Sequence, residues 1–294
     1  MNEVEIRRYA EARAALAHPG LSRARMRSGH DVDAHVLNMD GPDHVRHRQA
    51  VDAALSAAVT AQLPLLTAAV RTAIEELPAG TPVDAGGEVA YRLSVAVVDL
   101  VVGLGGPQSH PYWAGLAQGI DFGVLSPDAL PEALARLTAV AQEAHPHTMA
   151  AALSRSALSP SEVAANLLFA VSAGITNLTN ALGAALLALA RHPDAYAWLA
   201  ADPATRLTSA TDELLRFGEP AGRHSTRVAS DGRTSRIFKA AANRDPSRYA
   251  DPDRLDLART PNPHLTFGHG RHYCPAAFLS RLVLDQTLLA LVRR

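Results

Sequence analysis

The chain has 294 residues, 48% of them apolar, enough for a hydrophobic core without disulfide staples, which excludes a disordered or fibrous protein. Basic residues number 28 and acidic ones 29, a formal charge of −1, so no global field draws the chain to nucleic acid or an anionic membrane. The single cysteine, Cys274, rules out an intramolecular disulfide, and the opening segment Met1–Arg8 is charged rather than apolar, which fits a cytoplasmic protein.

The pattern is mainly α, with helical periods punctuated by Pro and Gly and few alternating apolar runs. Tyr9–Ala17 reads as a short helix stopped by Pro19-Gly20, and Ser28–Val36 as a polar loop. A longer helical pattern runs from His44 to Leu77 with a break at Pro64, and another from Val89 to Leu104. Pro107–Pro127 is rich in Gly and Pro and carries little signal; helical pattern resumes across Pro131–Leu158. Ser159-Pro160-Ser161-Glu162 is a capping box with proline at the first helical position, so a helix starts here and ends near Arg191-His192-Pro193. Within it, Val163–Ala190 carries no charge and is long enough to span a bilayer. Asn166, Ser172, Thr176, Asn177, Thr179 and Asn180 are more polar groups than a spanning helix tolerates, so a buried central helix is expected instead. Short helices follow at Asp194–Ala201 and Pro203–Phe217, then short strands at Thr226–Ala229 and Ser235–Phe238. Asn243–His272 has no period, and Pro275–Val292 reads as the last helix. Neither a repeat nor a linker divides the chain, which is read as one domain over residues 1–294.

The chemistry concentrates in Phe267-Gly268-His269-Gly270-Arg271-His272-Tyr273-Cys274-Pro275-Ala276-Ala277, a glycine-kinked loop that delivers the cysteine just before a helix. A thiolate there is favoured by the helix dipole and nearby Arg, and backbone N–H groups can tune it as a metal ligand. Glycines allow close approach to a flat cofactor. Three readings are open: a small buried hydrophobe, a zinc cluster of His264, His269, His272 and Cys274 whose spacing matches no standard pattern, and a haem thiolate.

The segment resembles the cysteine-ligand loop of the cytochrome P450 family, and other landmarks of that family follow in order. Glu213-Leu214-Leu215-Arg216 matches its Glu-x-x-Arg motif, although such a pair alone is commonly a solvated ion pair. Asn243-Arg244-Asp245-Pro246 and Asp251-Pro252-Asp253-Arg254 resemble the meander, where Arg254 is expected to complete a buried network with Glu213 and Arg216. His44-Val45-Arg46-His47-Arg48 resembles the helix whose His and Arg pair with haem propionates. The resemblance implies a P450-like helical fold with reduced β content, haem b as cofactor and Cys274 as its axial ligand. It implies propionate contacts from His44, Arg48, Arg227 and His272, with Phe267, Gly268 and Gly270 shaping the loop. It also places Ala173-Gly174 at the oxygen-binding kink of the long helix.

Three departures shape the functional expectation. Where the family has an acid and then an alcohol, this chain has Thr176 and Asn177, so the proton relay that assists O–O cleavage is altered. The chain starts and stops short of the family pattern, Ser230–Phe238 is too short for the hairpin placed there, and Pro107–Pro127 is thinned, all on the substrate side. Ala276 replaces a usual glycine, and Arg271 adds a charge to face a propionate or an electron donor. Ala173, Gly174, Thr176 and Asn177 are the candidate distal residues. The resemblance with these departures leads to a haem-thiolate oxidoreductase acting on a small secondary-metabolite substrate, of the kind met in antibiotic biosynthesis, by oxidative ring closure (C–S, C–N or C–O). Alternatives are ordinary monooxygenase hydroxylation and a non-catalytic auxiliary of a partner enzyme. Ferredoxin with its reductase is the expected electron donor, docking on Arg46, His47, Arg271 and Arg281; a homodimer could cover the haem. Neither nucleic acid nor membrane is an expected partner.

Overall fold

The computed structural model describes residues 3–27, 31–219 and 224–294. Strand β1 (Glu3–Ile6) leads into α1 (Tyr9–Ala17), and a stretch of short turns leads to α2 (Gly41–Glu75). A π-helical turn, Ala85–Tyr91, opens directly into α3 (Arg92–Val102). Then come α4 (His110–Phe122), α5 (Ala129–Gln142), α6 (Met149–Ser154), α7 (Pro160–Arg191), α8 (Pro193–Ala201) and α9 (Pro203–Phe217). A hairpin of β2 (Ser225–Val228) and β3 (Thr234–Ile237), the short α10 (Lys239–Ala242) and α11 (Ala277–Val292) complete the chain. It is mainly α and divides into two compact units, Arg27–Thr179 and Met1–Met26 with Asn180–Arg294.

In the unit Arg27–Thr179, α2 packs on α3 and α6. Pro64 does not break α2, because Val51, Ala54, Leu55, Ala58 and Val59 before it and Leu66, Val70 and Ile74 after it all stay buried. Packing of one continuous stripe outweighs the lost N–H. The weak segment Pro107–Pro127 holds a full helix, α4. Its Gly119 hid the signal yet has a packing reason, since a Cβ there would run into Leu125 Cδ2. Of the loop expected over Ser28–Val36, Ser28–His30 lie outside the described residues.

In the other unit, α9 packs on α8 and α11, and α1 on α10 and β3. Ala12, Leu16, Ile237, Ala242 and Leu265 form one small core. The two short strands expected at Thr226–Ala229 and Ser235–Phe238 form and pair as a hairpin turning at Gly232 (φ +82°), and β3 also pairs in parallel with β1. Strand β1 was illegible because its charged, exposed residues carry no apolar alternation. The only lysine, Lys239, donates to the Thr266 carbonyl (2.7 Å) and pairs with Glu219 (3.0 Å).

Helices α2 and α7 are long and apolar enough to cross a membrane by length and composition. The capping box at the start of α7 is formed reciprocally: Glu162 N–H donates to Ser159 Oγ (3.3 Å) and Ser159 N–H to Glu162 Oε2 (2.8 Å). The helix is not buried all round. Leu167, Leu168, Val171, Ile175 and Leu178 are buried, whereas Phe169, Ala173 and Thr176 are half-buried and Asn177 is exposed.

Candidate active site

The cysteine loop is built by backbone conformation. Gly268 and Gly270 both take φ +76°, in the left-handed region that side chains disfavour. Gly268 N–H donates to the Leu265 carbonyl (2.8 Å), Tyr273 N–H to Gly270 (2.9 Å) and Cys274 N–H to Phe267 (2.9 Å). A Cβ on Gly270 would stand 2.8 Å from Ala17 Cα, so α1 braces the loop. Cys274 is half-buried, three residues before α11, rather than sealed in a core. Ala276 has φ −93°, which alanine adopts without strain. His269 in the loop is held below the usual histidine pKa by burial and by Arg13.

Side chains lock the loop onto α9. Asn243 accepts the Leu265 N–H (2.7 Å) and donates to Thr266 Oγ1 (3.0 Å), which donates to the Leu215 carbonyl (3.0 Å). Arg281 donates Nε to Asp212 (2.9 Å) and lies over the Phe267 ring, 4.7 Å from its centroid. Burial opposes the charge on Asp212, but His264 and Arg281 outweigh it and lower its pKa. Arg271 is directed to the end of α1, donating to the Leu21 (2.9 Å) and His18 (3.4 Å) carbonyls. His272 closes the short turn Gly270–His272, and Arg227, 4% exposed on β2, donates to the Thr226 carbonyl (2.9 Å).

Behind the loop, Arg216 forks onto Glu213 with two 2.8 Å bonds, both side chains fully buried. The third member of the network is Arg259, whose Nε donates to Glu213 at 3.1 Å, and not Arg254, which offers Arg216 only its backbone carbonyl at 3.5 Å. Asp256 N–H and Asn262 Nδ2 complete the acceptor sites of Glu213. The meander has no helical or strand period, so only tertiary hydrogen bonds choose between its arginines.

In the unit Arg27–Thr179, His44 is buried on α2, and Arg48 donates Nε to both oxygens of Asp52 (2.8 and 2.7 Å). His47 does not belong to an exposed basic surface, being 0% exposed, and Arg46 is forked on Glu162. That fork, first, holds the Glu162 carboxyl far below the usual range. On α7, Asn177 Nδ2 donates to the Ala173 carbonyl one turn back (2.8 Å). Gly174 answers to packing, since a Cβ there would stand 2.9 Å from Val98 Cγ2.

The donor chemistry bears on the open readings of Cys274. Among the described residues no three His, Cys, Asp or Glu side chains gather as a zinc site requires. A single accessible thiol on a glycine-shaped loop at a helix start fits a metal that brings its other ligands with it, as haem does.

The helical architecture carries a glycine-shaped loop that presents one cysteine at a helix start. No protein-family model matches the chain. It is 30% identical to the vitamin D(3) 25-hydroxylase of Pseudonocardia autotrophica over 94% of this chain and 76% of that protein. It is also similar to the solved structure of the mycinamicin VIII C21 methyl hydroxylase MycCI of Micromonospora griseorubida (TM-score 0.88, 25% identity, covering 99% and 82%). A third likeness is to CxnD, a P450 for C–S bond formation in chuangxinmycin biosynthesis (TM-score 0.85, 26% identity, covering 99% and 80%). The chain belongs to the cytochrome P450 family. It is an oxidoreductase of that type, and membership implies a haem cofactor and a small-molecule substrate.

Proposed function

We propose that this P450 joins two positions of a small secondary-metabolite substrate, closing a ring through a C–S, C–N or C–O bond. The observation that carries the reading is the pair Thr176-Asn177 where the family has an acid and an alcohol, with the Asn177 amide committed to the Ala173 carbonyl. A side chain held on its own helix is poorly placed to pass protons, so the substrate's own X–H group is drawn into the reaction. One dioxygen, two electrons and two protons take up the two hydrogens lost from substrate and leave as two waters. A neighbour that forms a C–S bond supports the class.

Haem b, when bound, supplies the iron at which dioxygen is reduced. Cys274 would hold that iron through its thiolate; His44, Arg48, Arg227 and His272 would bind the propionates, and Phe267, Gly268 and Gly270 would shape the loop beside the cofactor. Ala173, Gly174, Thr176 and Asn177 would line the pocket over the cofactor, with Thr176 and Asn177 the side chains that would meet dioxygen and its protons. Electrons would come from a ferredoxin and its reductase in the cytoplasm, and the open side of the pocket would be met either by a second copy of the chain or by a small polar substrate.

Product analysis with candidate substrates tests the reading. Loss of two hydrogens is expected; gain of one oxygen overturns ring closure. That second outcome is hydroxylation, the reaction of the vitamin D(3) relative and of MycCI.

A further inference from the structure

Asp212, on α9, has its carboxylate claimed from two sides. Arg281 Nε on α11 donates to Oδ1 at 2.9 Å, and His264 Nε2 meets the same oxygen at 3.4 Å. Beside it Thr211 donates to Asp285 on α11, which fixes the spacing of the two helices. Expected as one cation of a donor-docking surface, the Arg281 side chain is only about a third exposed and has its Nε committed to Asp212.

The groups that Asp212 gathers all meet the cysteine loop. The Arg281 guanidinium lies over the Phe267 ring, 4.7 Å from its centroid, and the His264 ring stands 5.7 Å from the same ring. Arg281 Nη1 also reaches the Tyr273 hydroxyl (3.5 Å), and the Tyr273 ring meets Phe267 edge-on at 6.4 Å. Phe267 and Tyr273 flank the thiol: the Phe267 carbonyl accepts the Cys274 N–H (2.9 Å), and Tyr273 precedes Cys274 in the chain. An aromatic face attracts a cation, and a cation pinned by a carboxylate cannot follow a moving ring, so the ring is held in place.

We propose that Asp212 is a positioning residue for Cys274. By pinning Arg281 over Phe267 and against Tyr273, it keeps the loop tight around the sulfur and restrains the electron donation of the thiolate. The inference rests on the proposed function in one respect, that Cys274 is the axial ligand of the iron. A metal thiolate donates less when the hydrogen-bond donors around its sulfur are held in place, and a weaker donor favours the reduced metal.

Two readouts are taken on the full haem-loaded chain with no donor protein present. One is the ferrous-to-ferric ratio at a fixed applied potential; the other is amide exchange at Cys274, which can also be read without haem. Asp212→Asn keeps an oxygen that accepts from Arg281, Asp212→Ala keeps none, and Arg281→Met keeps the stem without the cation. In Asp212→Ala and Arg281→Met the ratio is expected to fall about threefold or more and Cys274 exchange to rise about tenfold or more, while Asp212→Asn stays near wild type in both. Charge alone predicts otherwise, because losing an anion and losing a cation move the ratio in opposite directions. Opposite shifts in Asp212→Ala and Arg281→Met therefore overturn the positioning role, and so does an Asp212→Asn that behaves as Asp212→Ala does. An Arg281→Met that weakens only salt-sensitive turnover with ferredoxin, with both readouts at wild type, marks a docking cation and overturns it too. If the reduced wild type shows no thiolate-type band with carbon monoxide, the axial ligand falls and the effect on the ratio with it, and Cys274 exchange still decides whether Asp212 sets the loop.

Discussion

The cysteine loop and the middle of α7 are held by different means. In the loop, two left-handed glycines and three short backbone bonds set the position of Cys274, and side chains from α9, α11 and the segment around Asn243 only clamp the result. On α7 the backbone is an ordinary helix, and the functional candidates are told apart by which side chains bond back to it, as Asn177 does to Ala173. A site fixed by backbone is intolerant of substitution and specific in sequence. One fixed by side chains can be retuned without disturbing the fold.

The largest effect that could break this contrast is Cys274→Ala. The reduced, carbon monoxide-bound protein should lose its thiolate-type absorption band entirely while thermal unfolding hardly moves; a surviving band would remove Cys274 as ligand. Next is Arg216→Ala, which strands Glu213 in the interior and should cost about 3–5 kcal/mol in urea unfolding. Arg259→Ala should cost less and Arg254→Ala least, an order that separates the side-chain partner from the one supplying only a carbonyl. Gly270→Ala combines a strained φ with the clash on the backbone of α1 and should cost about 1–3 kcal/mol, a loss that Ala17→Gly does not restore because the clashing Cα remains.

Acid provides a subtler test. Burial opposes the charge on Asp245, yet the Tyr9 N–H, the Ser247 hydroxyl and N–H, and Arg8 outweigh it and hold the carboxyl at about 2. A depressed folded pKa stabilises above the unfolded value of about 3.9, and the contribution is lost as pH falls from there toward the folded value. Unfolding free energy should therefore drop between about pH 4 and pH 2, and Asp245→Asn should flatten that slope. Smallest is Asn177→Ala, expected to shift stability by less than about 1 kcal/mol while changing the product ratio.

Much of this architecture was legible in the sequence because punctuation and capping are local. Tyr9–Ala17, the Ser159–Glu162 capping box and the end of α7 at Arg191 depend on nearby residues alone. Strand β1 and helix α4 were not, since one owes its form to pairing with β3 and the other to Leu125 packing on Gly119. The same division holds at the site. The motif around Cys274 is written in glycines, whereas the choice of Arg259 over Arg254 and the burial of His47 depend on partners far along the chain. Next to Arg46, His47 reads as part of a charged surface; only a bonded partner such as Asn166 reveals that it is internal.

Lysine usage has a practical consequence. The one ε-ammonium in the chain is clasped between Glu219 and the carbonyl of Thr266, the residue immediately before Phe267. Acylating reagents and aldehyde fixatives thus meet no second lysine, and modifying Lys239 would take the clasp off the cysteine loop. Amine labelling at Lys239 is therefore a chemical perturbation of the loop rather than a neutral tag.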